Sequence, residues 1–154
     1  VADYGHLMRD DPAYAQKGAR IAALAKDVCE VVAAEQEALG ARFTGKARAP
    51  VAFHAPCSLQ HGLKIRGVVE SILMRAGFEL TPVPDSHLCC GSAGTYSILN
   101  PAISGDLLRG KVAALESGRP ELIATANIGC LSHIQGGTAR PVRHWIELLD
   151  EVAG

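Results

Sequence analysis

The sequence predicts an α/β protein: an open parallel sheet of about four strands flanked by helices, preceded by one long N-terminal helix. Three observations carry that expectation. The short apolar runs VAFHA (51–55), FELTPV (78–83), ELIATAN (121–127) and ARPVRH (139–144) have the length and composition of strands. Between them lie longer segments whose apolar residues recur at helical spacing. Ahead of them runs DDPAYAQKGARIAALAKDVCEVVAAEQEALG, with an apolar stripe and no strand signal. Strands that alternate with helices lie parallel, because each helix carries the chain back to the same end of the sheet.

In chain order, Asp11 can cap the first helix and Pro12 suits its first turn. Ile21, Leu24, Val28, Val31 and Val32 share one face, and Gly40 is a stop. Cys29 lies beside that stripe and reads as a thiol packed like a small hydrophobe. Residues 41–50, ARFTGKARAP, read as a basic connector. After the strand at 51–55, Ile65, Val68, Val69, Ile72, Leu73 and Ala76 mark a helix that Gly77 ends. A short helix follows Gly94. A longer one runs from Pro101 to Glu116, with Leu108, Val112 and Leu115 inward. A helical turn begins near Cys130, and WIELLDEVA closes the chain as a helix. The expected division is a lead-in over 1–50 and an α/β domain over 51–154.

The 154 residues carry a net charge of −1, with no basic cluster to recruit nucleic acid. No apolar run approaches the roughly 20 residues of a membrane span. The first residue is Val, and the chain is expected to be a piece of something longer. Five cysteines are an odd number and too few for a disulfide scaffold at this length. They point to a reducing, cytoplasmic setting in which thiols are free, catalytic or metal-bound.

Four of the cysteines share a position in the predicted topology. Cys57 follows the first strand, Cys89 and Cys90 the second, and Cys130 the third. Loops after the carboxyl ends of parallel strands meet at one edge, where ligands bind. His133, one helical turn beyond Cys130, is a further candidate donor. A vicinal Cys89–Cys90 disulfide is disfavoured, since neighbouring Cα atoms are closer than such a bridge prefers. A zinc site is open to this donor set, although its spacing lacks the usual paired C-x-x-C. An iron–sulfur cluster offers several irons, so adjacent thiolates can bind different atoms. Four ordinary buried cysteines are the plain alternative. Cys90→Ser is expected to lose the bound group and keep the fold, on the view that Cys90 sits at the rim.

Among the other polar residues, His54 reads as a hydrogen-bonded core histidine, and His87 as a solvated loop residue. His61 is a weak candidate for a supporting contact, and Asn127 for holding the Cys130 turn. A Cys130–His133 nucleophile pair lacks an orienting acid. Gly91-x-x-Gly94 matches no phosphate-loop pattern.

The order Cys57, thirty-one residues, Cys89-Cys90-Gly91, thirty-eight residues, Cys130 resembles the cysteine-rich CCG domain. That domain occurs in heterodisulfide reductase, lactate-utilisation proteins, an anaerobic glycerol-3-phosphate dehydrogenase subunit and the glycolate oxidase iron–sulfur subunit. The segments DYGHLMRDDPAYA (3–15), HAPCSLQHG (54–62), HLCCGSAGTYSILNP (87–101) and ELIATANIGCLSHIQ (121–135) most resemble the last. The resemblance implies an electron-transfer module of a glycolate dehydrogenase or oxidase. It implies a [4Fe–4S] cluster, of the non-cubane kind in heterodisulfide reductase, on Cys57, Cys89, Cys90 and Cys130. The implied partners are flavin-containing glycolate oxidase subunits, with a preceding ferredoxin-like part and a first CCG domain in the same subunit. Electrons would pass towards quinone, with the complex peripheral to the inner face of the membrane. The equivalent subunit of a lactate or glycerol-3-phosphate dehydrogenase, and a structural zinc or assembly domain, are the alternatives. The family pattern ends in C-x-x-C, whereas this chain has Cys130-Leu131-Ser132-His133. Histidine there would raise the reduction potential if it binds iron, and it keeps zinc in contention. An exposed cluster is oxygen-labile, so the isolated fragment is expected to be empty after handling in air.

Overall fold

In a computed structural model, residues 1–40, 42–43 and 48–153 are described. They form two compact units, Val1–Ala34 and Glu35–Gly154. The connector expected at 41–50 lies partly outside the described residues, at 41 and 44–47.

The first unit holds α1 (Tyr4–Leu7), α2 (Ala15–Leu24) and α3 (Val28–Ala34). The single long helix expected from residue 11 onward is therefore broken. Asp11 Oδ1 accepts from Ala13 N at 2.8 Å and Tyr14 N at 3.0 Å, so it closes a turn and the helix starts at Ala15. The second break is a reciprocal cap. Asp27 Oδ1 accepts from Cys29 N at 2.9 Å, and Glu30 Oε2 accepts from Asp27 N at 2.8 Å. This side-chain exchange satisfies two amides that an uninterrupted helix would have bonded to its own carbonyls.

The second unit opens with α4 (Gln36–Gly40) and contains a four-stranded sheet. Its strands are β1 (Pro50–His54), β2 (Glu79–Leu80), β3 (Leu122–Thr125) and β4 (Val142–His144), all parallel, in the order β2-β1-β3-β4. The connections run through α5 (Val68–Arg75), then α6 (Tyr96–Leu99) and α7 (Pro101–Glu116), then α8 (Ile128–Gln135). The chain ends in α9 (Trp145–Asp150). The α/β class and the parallel sheet are as the sequence predicts. β2 is shorter than FELTPV because Pro82 has no N–H to continue the ladder.

Val51, Ala52, Ile123 and Ala124 are fully buried, so β1 and β3 are the centre of the sheet. Val69, Ile72 and Leu73 of α5, Val112 and Leu115 of α7, and Trp145 and Leu148 of α9 are also buried. The strand order places a reversal between β1 and β3: the chain leaves β1 towards β2 on one side, and later crosses to β3 on the other. Loops that diverge from neighbouring strand ends open a crevice there.

Candidate metal centre

The crevice past β1 and β3 is a cavity of about 410 Å³. Cys57, Cys89, Cys90 and Cys130 all line it. Each arrives by a separate local device. Cys57 precedes a single wide helical turn, Ser58–Gly62, directly after β1. Cys130 lies in the first turn of α8, whose N-cap is Asn127. Asn127 Oδ1 accepts from Gly129 N at 2.9 Å and Cys130 N at 3.3 Å, which fixes the turn carrying the thiol. The turn-holding role expected of Asn127 is what the geometry shows.

Cys89 and Cys90 occupy the loop between β2 and α6, and this segment is unusually contorted. Asp85 (φ 48°), Gly91 (φ 93°), Ala93 (φ 38°) and Gly94 (φ 61°) all take positive φ. Two of these are not glycine, and such backbone is kept only where its surroundings enforce it. Gly91 is required twice over. Its φ disfavours any side chain, and a Cβ would lie 2.5 Å from Ser104 O. Gly129 allows the loop to approach α8: a Cβ there would lie 3.2 Å from Ser92 Oγ. Gly91 N donates to Cys89 Sγ at 3.3 Å. All five cysteines are free thiols, so the strained vicinal disulfide is absent.

Cys90 is 1% exposed and packs with Ala52, Ile123 and Ile134 in the apolar core. The expectation that it sits at the rim is corrected here. Its sulfur forms one wall of the cavity and its backbone belongs to the interior, so substitutions there act on both.

The thiols do not titrate alike. The Cys90 thiol is pulled from 9.0 down to about 4. The first cause is the S–H of Cys130, which donates to it; His54 and the Ser92 amide also favour the anion, against the opposing effect of burial. Cys130 is pushed up because it keeps the shared proton, and burial adds to that. Cys57 is raised by burial first and then by the neighbouring Cys89 and Cys90. A pair holding one proton and one negative charge is already half prepared to bind a cation.

Two residues beside the cysteines, neither of them lining the cavity, were not singled out for it by the sequence. Lys111, on α7, is 3% exposed. Its Nζ donates to Asp85 O at 3.0 Å and Ser86 O at 3.3 Å, tying the loop that leads into the cysteine pair. Burial lowers its pKa, while Cys90, Cys57 and Cys89 oppose that shift. A lysine inside a helix carries no local mark of this role. The second is His54, at the end of β1. It is 2% exposed, and neither ring nitrogen has a hydrogen-bond partner. It is buried as expected, but it is not a satisfied core histidine. Its donor atom and the sulfurs of Cys90 and Cys130 lie within 4.8 Å of one another.

His133 is placed differently. Its Nε2 meets Ser104 Oγ at 3.2 Å, close under Gly91; like His54 it does not line the cavity, but unlike His54 it has a partner and is not grouped with the Cys90 and Cys130 sulfurs. Ser104 Oγ in turn donates to Gly91 O at 2.9 Å. His61 Nε2 lies 3.3 Å from His87 O at the surface. Several thiols with a depressed pKa among them, beside an unpartnered imidazole, suit a soft metal or an iron–sulfur group. No helix among the described residues is long and apolar enough to cross a membrane.

The comparisons with known proteins agree with that chemistry. The cysteine-rich domain family, CCG, matches residues 51–135. The glycolate oxidase iron-sulfur subunit of Escherichia coli K12 is 47% identical over 98% of this chain and 36% of its own length. Lactate utilization protein A of Bacillus licheniformis is 31% identical over 96% of the chain and 64% of its own. That of Geobacillus thermodenitrificans is 30% identical, over 97% and 64%. The chain thus spans about a third to two thirds of these relatives. With its four cavity cysteines in CCG order and the family match covering the sheet's functional edge, the chain belongs to the cysteine-rich CCG domain family.

Proposed function

We propose that residues 51–154 form an iron–sulfur electron-transfer module of a multisubunit oxidoreductase, and that 1–50 lead in from a preceding domain. The observation that carries this reading is the convergence of four thiols from three separate loops on one cavity. An iron–sulfur cluster supplies reversible electron transfer without bond making at the protein. The chain's own residues do the rest. Cys57, Cys89, Cys90 and Cys130 hold the group. Asn127 and the Gly91 loop fix the directions from which the thiolates approach. Ala52, Ile123 and Ile134 back Cys90 with apolar surface, which keeps water from one side. His133, the fifth candidate, supports the Gly91 loop through Ser104 instead of binding metal.

The named relatives make oxidation of glycolate, with lactate as the runner-up, the best reading for the parent complex. On that reading the partners are flavin-bearing subunits, together with a ferredoxin-like part and a first CCG domain of the same subunit. Electrons then leave towards quinone. A [4Fe–4S] cluster of non-cubane type fits adjacent thiolates best. A single zinc ion is the second reading, favoured by the compact His54–Cys90–Cys130 group.

The test is anaerobic reconstitution of the reduced chain with iron and sulfide, followed by metal and acid-labile sulfide analysis. Iron with comparable sulfide is the expected outcome. Zinc retained without sulfide, in preference to both, refutes the redox reading in favour of the second.

A further inference from the structure

We propose that His54 is a metal ligand: its imidazole binds the same metal atom that Cys90 and Cys130 hold. This deepens the reading above and rests on it for the identity of the group, though not for the donor set.

A buried polar group without a partner is uncommon, because it has given up its water and gained nothing in exchange. Among the described residues, two side chains keep such atoms, His54 and Trp145. Trp145 has one orphan N–H. His54 has both ring nitrogens unpartnered at 2% exposure. The other histidines are accounted for. His6 meets Arg9, His61 meets His87 O, His133 meets Ser104, His144 Nδ1 caps α9, and His87 is exposed. The imidazole is dry, makes no hydrogen bond of good geometry and stands within 4.8 Å of the Cys90 and Cys130 sulfurs, which fits a lone pair placed for a metal.

The backbone holds it there. His54 pairs with Thr125 in the β1–β3 ladder, and Thr125 Oγ1 donates to His54 O at 3.0 Å. The ring therefore leaves the last residue of β1 at the strand reversal, beside Cys90 and Cys130. Donor atoms around a tetrahedral metal stand about 3.5–4 Å apart. The 4.8 Å limit on this trio closes to that by small side-chain movements. Two thiolates and one imidazole leave a fourth position for a sulfide or another thiolate. One neutral donor in place of a thiolate lowers the negative charge of the site and raises the potential of a redox metal there.

The test needs no mutation at first. Cadmium-113 is added to the reduced, metal-free full chain carrying nitrogen-15 histidine, and metal–nitrogen scalar coupling is read by NMR. Coupling to the His54 ring alone is expected. Coupling to His133 instead, or to no histidine, overturns the proposal. His54→Asn is then expected to weaken cobalt(II) binding at least about tenfold. Unchanged affinity in a folded variant overturns the proposal as well. The iron-reconstituted chain separates the two readings. Iron and sulfide bound with no imidazole nitrogen coupling in the electron-spin spectrum defeats the His54 assignment and leaves the iron–sulfur reading standing. Cadmium coupled to His54 in a chain that retains no iron defeats the iron–sulfur reading and leaves His54 a ligand.

Discussion

Cys29, in the N-terminal unit, and Cys90, at the edge of the sheet, are both shut off from water at 0% and 1% exposure. Their surroundings act on the thiol in opposite senses. Burial comes first for Cys29, and the carboxylates of Asp27 and Glu30 add to it, so its pKa rises from 9.0 to about 12. Cys90 is buried too, but Cys130 donates to its sulfur and His54 stands beside it, so its pKa falls to about 4. Burial alone therefore does not make a reactive or ligating cysteine. The sign is decided by what faces the sulfur: acceptors and anions in one unit, donors in the other. Cys29 is a packing residue whose neighbours happen to be a helix cap. Cys90 sits where three loops have been brought together at some cost in backbone strain.

The largest effect that can break this contrast is on retention of the bound group. After anaerobic reconstitution, Cys90→Ser is expected to cut the iron bound per chain by more than about tenfold. Cys29→Ser is expected to leave it unchanged, since Cys29 is not among the residues lining the cavity. Equal retention by the two variants would erase the distinction. Because Cys90 is also a core residue, circular dichroism should show a folded but weaker domain, as a buried hydroxyl costs roughly 1–3 kcal/mol.

The pH dependence of the metal-free chain is the next largest. The folded pKa of Cys90 lies below its unfolded value, so its contribution is present above pH 9 and is lost as pH falls through 4. Across that window the folded Cys90–Cys130 pair binds one proton where the unfolded pair binds two. Stability should rise with pH there, by at most about 1.4 kcal/mol per unit. Cys29 has the opposite sign: its folded pKa lies above the unfolded value, so its contribution is present below pH 9 and is lost as pH rises through about 12. Denaturant titrations at pH 6 and 8 should show a smaller gain in Cys90→Ala than in the parent chain. Titrations at pH 9 and 11 should show a smaller loss in Cys29→Ala. Parallel curves for parent and variants would remove the basis of the contrast.

The two regions also differ in how much the sequence disclosed. At the sheet edge, the strands, the helix Pro101–Glu116 and the convergence of four cysteines were legible, because strand–helix alternation forces the loops together. The order β2-β1-β3-β4 was not, since periodicity says nothing about which strands are neighbours. His54 reads as satisfied in the sequence for the same reason: a strand end reveals nothing of the thiols facing it. Lys111 falls on the helix face between Leu108 and Leu115, and its buried amine depends on carbonyls of a loop some 25 residues away. In the N-terminal unit the failure was of a different kind. Asp27-x-x-Glu30 is a local capping signal, and the continuous apolar stripe across it masked the start of a new helix.

Asn127 gives the smallest of these effects and the sharpest view of how a cap serves a ligand. Its Oδ1 accepts two amides at once, those of Gly129 and Cys130, so it sets both the start of α8 and the direction of the Cys130 thiol. Asn127→Ala removes one helix cap and should cost about 1 kcal/mol of stability in the metal-free chain. Asn127→Asp keeps an acceptor in the same place and should restore most of that loss. Asp27 caps α3 in the same way, through Cys29 N, so Asp27→Ala should cost a similar amount of stability. The two units part company at the thiols these caps carry. Only the Asn127 variant should also weaken cobalt(II) binding, because only that cap aims a thiol at the cavity. Loss of metal affinity in both variants, or in neither, would mean that the cap stabilises a helix without directing the sulfur.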